Sequence, residues 1–182
     1  MASAFTHAYA ALAIGAAARR LSGAGRLWAA GIASAILPDA DVIGFSFGVR
    51  YDAPWGHRGL SHSLAFAALW SALLTGIFFR DPAPLRSRRA VWLYLFAATS
   101  SHGLLDALTN GGLGVALLSP FDSRRIFFPF RPIRVSPIGV AEFFSPEGLA
   151  ILGSELVWVW LPAGLLAAAV TLVRRRRRPL AG

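Results

Sequence analysis

The 182-residue sequence contains no cysteine and no lysine. Without cysteine there are no disulfides and no thiolate ligands, so any metal site has to be built from nitrogen and oxygen. Without lysine, all 18 basic residues are arginine, and they outweigh nine acids to leave a formal net charge of +9. Histidine is scarce too, with four in the chain and none after His102. The stretch MASAFTHAYAALAIGAAARR is apolar first and basic afterwards. That is the reverse of a secretory signal, and it reads as a retained helix.

What the sequence has in excess is apolar surface. A hydrophobic content of 55% and a mean hydropathy of +0.55 exceed those of an ordinary soluble domain and point to the membrane. Five apolar segments follow one another, at 3–18, 26–37, 62–79, 90–109 and 148–173. The last three approach or exceed the roughly 20 residues that cross a bilayer core. The first two are short and read as a hairpin that is tilted, shielded by the other helices or laid on the membrane surface.

The arginines fall into two unequal groups. Arg19, Arg20 and Arg26 follow the first segment, Arg80, Arg86, Arg88 and Arg89 the third, and Arg174 to Arg178 the fifth. Arg50, Arg58, Arg124, Arg125, Arg131 and Arg134 occupy the alternate loops. By the positive-inside rule the larger group marks the cytoplasmic face. The expectation is therefore an all-α integral membrane helical bundle of about five transmembrane helices, in the cytoplasmic (inner) membrane. The N-terminus lies outside and the C-terminus inside. One domain covers 1–182, with an extracytoplasmic loop at 113–147 and a basic cytoplasmic tail at 174–182. The basicity is then a topology signal with the lipid bilayer as partner, and nucleic acid is not needed to explain it.

The ionisable residues converge on that map. His7 lies twelve residues before Arg19, Asp39 thirteen after Arg26, His62 eighteen before Arg80 and His102 thirteen after Arg89. At 1.5 Å per helical residue all four stand roughly 18–27 Å above the cytoplasmic arginines. Asp41, His57 and Asp106 belong to the same outer end, whereas Asp81 lies with the cytoplasmic arginines. Four histidines from four segments thus share one face of the membrane.

Local spacing adds detail. His102 and Asp106 in HGLLDALTNGG stand at i and i+4, on one face of a helix that TNGG then stops. In LPDAD, Pro38 disfavours helix at Leu37 and places Asp39 and Asp41 in non-helical backbone. In HRGLSHS, residues 57–63, Gly59 permits a tight turn, Ser61 caps the third helix and His62 falls in its first turn. His57 and Arg58 then fold back from the loop.

Imidazoles and carboxylates without thiolates suit zinc, manganese or iron. Such a set activates water for hydrolysis, with Asp39 or Asp41 to take its proton and Arg58 to hold a phosphate. Two other readings stay open. A transporter or ion path would spread its ionisable groups through the bilayer depth rather than crowd them at one end. A non-catalytic membrane protein would use a structural metal site to staple its helix ends. The loop stretch RRIFFPFRP interleaves arginine with aromatic residues, as the headgroup level favours, and reads either as a lid over a lipid or as a structural interfacial loop.

Taken together and in order, THAYAALAIG, LPDADVIGF, HRGLSHS, HGLLDALTNGG, ALLSPFDSRRIFFPFRPI and SELVWVW resemble the YdjM (DUF457) family of membrane proteins, which is classed with metal-dependent hydrolases. The resemblance covers nearly the whole chain. It implies a helical core like that of zinc-dependent phospholipase C and P1 nuclease, with metals held by His and Asp. It also implies metal ligands at His7, Asp39 or Asp41, His62, His102 and Asp106, and the residue inventory offers His57 or Glu155 to complete the set. Those enzymes use further histidines and a glutamate on later helices, and this chain has no histidine there. One or two ions follow, most simply Zn2+, with Mn2+ as the alternative. The implied activity is phosphoester hydrolysis on a phospholipid or related lipid phosphate. His57 and Arg58 would assist at the leaving group or phosphate, and Asp39 and Asp41 would share the ligand and base roles.

Overall fold

A computed structural model of the chain describes residues 1–18, 25–80 and 87–176. Arg19, Arg20, Asp81, Arg86, Arg177 and Arg178, which carry part of the charge map above, lie outside the described residues. Among the described residues every regular element is helical, and the only β interactions are isolated bridges at Thr109–Ile133 and Val115–Ile126. The all-α expectation holds.

Helix α1 (Ala4–Ala17) starts at Ser3, whose side chain accepts a hydrogen bond from the Thr6 amide. Helix α2 (Gly25–Ile36) does not stop at Pro38. It tightens into a 3₁₀ helix, Leu37–Phe47, with Pro38 in the first turn; Pro38 has no N–H to offer the Ala35 carbonyl one turn back, and His102 Nδ1 meets that carbonyl instead at 2.7 Å. Asp39 and Asp41 therefore sit on wound backbone, not in the irregular stretch expected, until Gly48 ends the run at φ +76°. This continuation gives the short second segment an apolar length of 23 residues, Gly25–Phe47.

Helix α3 (Leu64–Phe78) is capped by Ser63, whose side chain accepts from the Phe66 amide. The cap is thus two residues later than Ser61, and His62 belongs to a preceding 3₁₀ turn, Leu60–His62. Helix α4 (Arg88–Ala107) is the hub on which α1, α2 and α3 all pack. Its Tyr94 is accommodated by Gly31 of α2, where a Cβ would stand 2.1 Å from the phenol oxygen. Leu27, Val91 and Leu95 close the core around that ring.

After α4 the chain runs irregularly to the short helix α5 (Val140–Phe143). The last apolar segment is α6 (Pro146–Glu155), a π turn (Leu156–Trp160) and α7 (Leu161–Arg176). The π turn ends two residues before Pro162, which cannot donate to a carbonyl one turn back. By length and hydropathy Gly25–Phe47 and Pro146–Arg174 can cross a membrane, whereas α1 and α3 are shorter apolar helices. Leu69, Leu73 and Ile77 on α3 and Leu165, Leu166 and Leu172 on α7 face outwards, a surface suited to lipid rather than water.

The loop after α4 is tied down rather than free. Phe128 and Ile133 amides donate to the carbonyls of Ala107 and Leu108, satisfying acceptors left open at the end of α4. Val115, Leu117 and Ile133 are buried. Outside the apolar segments, the Arg125 guanidinium donates to the carbonyls of His57, Tyr51 and Ala53 at 2.7, 2.9 and 3.1 Å. Burial lowers the pKa of this guanidinium and raises that of the Tyr51 phenol beside it. Arg124 pairs with Asp122 and holds that carboxyl below its ordinary range.

Candidate metal centre

Three elements bring an inner group of four side chains together. The i,i+4 spacing on α4 points His102 and Asp106 the same way, and both are fully buried. The 3₁₀ turn before α3 supplies His62, and the 3₁₀ continuation of α2 supplies Asp39. His102 Nε2 lies 3.0 Å from His62 Nε2 and 3.2 Å from Asp39 Oδ1. His62 Nε2 lies 3.6 Å from Asp39 Oδ1 and 3.7 Å from Asp106 Oδ2. One ligand atom from each residue falls within 4.8 Å of the others.

The tautomers follow from what lies behind each ring. His102 Nδ1 is 2.7 Å from the Ala35 carbonyl, which only accepts, so Nδ1 carries the proton and Nε2 turns a lone pair inwards. His62 Nδ1 lies 3.2 Å from Asp41 Oδ2, which places its proton outwards as well. With both Nδ1 atoms turned outwards, the two rings meet through their Nε2 atoms at 3.0 Å, a contact that needs a proton or a cation between them. Both Asp39 oxygens are buried without a hydrogen-bond partner, while Asp106 Oδ2 is met by Arg58 Nε at 3.1 Å. Acceptors facing acceptors in a dry pocket are costly unless a cation joins them. Ligand atoms roughly 2.0–2.2 Å from one tetrahedral zinc ion stand about 3.3–3.6 Å from each other, close to the four separations above of 3.0–3.7 Å.

Asp41 stands behind this group. Its carboxylate accepts from Ser61 Oγ at 2.6 Å, the Arg58 amide at 3.2 Å and His57 Nδ1 at 2.7 Å. Asp41, His57 and His62 form a second trio of ligand type, although Asp41 is already saturated by donors. The pattern carboxylate, imidazole, inner site is how outer partners fix ligand orientation. Asp39 and Asp41, interchangeable on sequence grounds, are thus separated by geometry.

The remaining sequence-derived candidates are close by but differently used. His7 stacks on His102 with ring centroids 3.7 Å apart, and its Nε2 is 3.6 Å from Asp106 Oδ1. It sits beside the inner four, with neither ring nitrogen hydrogen-bonded. Arg58 is fully buried in left-handed backbone at φ +64°. Its Nε is 3.1 Å from Asp106 Oδ2, and its other nitrogens donate to the Gly111 carbonyl at 2.8 Å and Thr109 Oγ1 at 3.0 Å. A guanidinium so enclosed is not presented to a phosphate, which corrects the expectation for this residue. Glu155 accepts from the amide and hydroxyl of Ser3 at 2.5 and 2.6 Å. It anchors the start of α1 and does not complete the metal set.

Sequence reasoning passed over the supports. Ser61 has the sequence signature of a cap and Thr109 that of a helix stop, and the Ala35 carbonyl carries no side-chain signal at all. Gly59 serves close packing, since a Cβ there would stand 2.2 Å from the Pro54 carbonyl oxygen.

The fold and site define a helical membrane protein with a buried His/Asp cluster able to hold a metal ion. The chain belongs to the YdjM inner membrane protein family, whose sequence pattern matches residues 1–178. It is 43% identical over 154 residues to inner membrane protein YbcI of Escherichia coli (strain K12), an alignment covering 83% of this chain and 86% of that protein. No solved structure matches the chain.

Proposed function

We propose that the protein is a membrane-bound, metal-dependent hydrolase of phosphoester bonds, acting on a phospholipid or related lipid phosphate. The observation that carries the reading is the pair of Nε2 atoms 3.0 Å apart, flanked by the buried carboxylate of Asp39, whose oxygens have no hydrogen-bond partner, and by Asp106. His62, His102, Asp106 and Asp39 would hold the ion, with His7 adjoining. A bound divalent cation supplies Lewis acidity, which lowers the pKa of water and polarises a phosphoryl oxygen. Zinc fits this nitrogen and oxygen set, and manganese is the alternative.

The chain's own groups divide the remaining work. Asp41 and the Ala35 carbonyl hold the Nδ1 protons of His62 and His102, keeping both Nε2 atoms free. Arg58 fixes Asp106 and balances its charge. Asp39, at 8% exposure the least enclosed of the four, is the group placed to exchange a proton with an incoming water. The five-crossing topology, with the site at the extracytoplasmic face, belongs to the same proposal.

A structural metal staple is the second reading, favoured by the depth of burial of all four ligands, since structural sites are closed and catalytic ones keep an open position. Elemental analysis of detergent-purified protein, beside His102→Ala and Asp106→Asn variants, tests the site. Stoichiometric zinc or manganese lost from the variants is expected. Chelator-sensitive release of phosphate or headgroup from phospholipid and phosphodiester substrates then supports the hydrolase. Bound metal with no turnover, together with chelator-induced unfolding, would favour the staple. No metal after reconstitution with excess divalent ions would overturn both.

A further inference from the structure

Helices α2 and α3 both pack on α4 but make no extended contact with each other. Between them runs an apolar groove of 360 Å³. One wall is a stripe of α2 and the start of its 3₁₀ continuation, Arg26, Ala29, Ala30, Ala33, Ser34 and Leu37, and the other is formed by Trp70, Leu74 and Phe78 of α3. The small α2 side chains leave the space between the walls unfilled, and a hydrogen bond from Trp70 Nε1 to Ser34 Oγ at 3.1 Å ties the walls together near one end. The eleven residue steps from Arg26 to Leu37 rise about 16 Å, roughly half the thickness of a bilayer core. The groove is therefore the length of one leaflet.

Its polarity is one-sided. Arg26 is exposed at one mouth and has no partner among the described residues. The rest of the lining is apolar apart from the Ser34 hydroxyl, which Trp70 already engages. A guanidinium at headgroup level above a leaflet-long hydrocarbon slot is complementary to an anionic phospholipid. We propose that the α2/α3 groove binds such a lipid, with one acyl chain along the alanine stripe and the phosphate on Arg26. The assignment is independent of the metal centre.

The test is native mass spectrometry of detergent-purified protein exposed to phosphatidylglycerol or to phosphatidylcholine of identical chains. The wild type should retain phosphatidylglycerol at least tenfold over phosphatidylcholine. Arg26→Gln, a change at an exposed position, should bring the two within about twofold. Ala33→Trp should fill the slot and cut retention of either lipid, and Ala29→Leu narrows the same groove should the tryptophan variant not fold. Equal retention of both lipids by the wild type, a preference unchanged in Arg26→Gln, or full retention by the groove-filled variants would overturn the proposal. So would a dimer that the groove-filled variants lose, which would assign the groove to a second copy. Metal content should be unchanged in all three variants, so failure here is distinguishable from failure of the metal reading.

Discussion

Arg58 Nε lies 3.1 Å from Asp106 Oδ2, and both side chains have zero exposure. A buried carboxylate at the edge of a metal group is thereby tied to a cation on a different element, while Thr109 and the Gly111 carbonyl take the other guanidinium nitrogens. Removing one partner of such a pair leaves an uncompensated buried charge, which costs about 3–5 kcal/mol. Arg58→Met should therefore lower Tm by about 10 °C, measured by thermal unfolding in detergent. Arg58→Lys should recover only part of the loss, because an ammonium cannot reproduce the fork. A variant as stable as the wild type would remove Arg58 from its supporting role.

Asp41 and Asp39 should respond differently to the same chemical change. Asp41→Asn weakens the hold on the His57 and His62 rings, and loss of an outer partner typically lowers metal affinity 10–100-fold. Full stoichiometry should return at saturating metal. Asp39→Asn removes a charged member of the inner group, and stoichiometric binding should not return. Isothermal titration with zinc distinguishes the two, and identical behaviour would contradict the division between inner and outer carboxylates.

Gly103 sits on α4 immediately after His102, where a Cβ would come within 2.4 Å of the His62 carbonyl oxygen and 3.0 Å of Leu117 Cδ2. Gly103→Ala should push the His62 turn away and weaken zinc binding about as much as a change in Asp41. Gly153 of α6 has nothing within 4 Å of its would-be Cβ. Gly153→Ala should bind zinc normally and gain up to about 1 kcal/mol from helix propensity.

The orientation can be read from reporter fusions. A fusion after Arg178 should be active with a cytoplasmic reporter and silent with one that matures only in the periplasm. The opposite result would place the His/Asp end in the cytoplasm.

Several of these features were legible in the residues alone. The i,i+4 relation of His102 and Asp106 is a property of any helix, and the apolar runs and arginine distribution announced helices in a membrane. The common level of the four histidines follows from counting residues at 1.5 Å each, and the rings do meet, with His62–His102 and His57–His62 centroids 4.6 and 5.3 Å apart. The helix ends were less legible. Pro38 reads as a break, yet the Ala35 carbonyl one turn back is met by His102 Nδ1, and the chain winds on to Phe47.

What the sequence by itself determined is the inventory and its height in the bundle: helices, a charge map, and imidazoles and carboxylates gathered at one end. Only the tertiary structure decided which carboxylate faces inwards. Asp39 and Asp41 differ by two positions on one short turn, and their roles depend on Ser61, His57 and the Arg58 amide arriving from another segment. The same holds for Arg58, whose charge suggested a phosphate until packing placed Asp106, Thr109 and Gly111 around it. Local backbone preferences act over a few residues and are written in them. The partner of a buried charge is set by the contacts of distant segments, and desolvation enforces that choice only once the helices have come together.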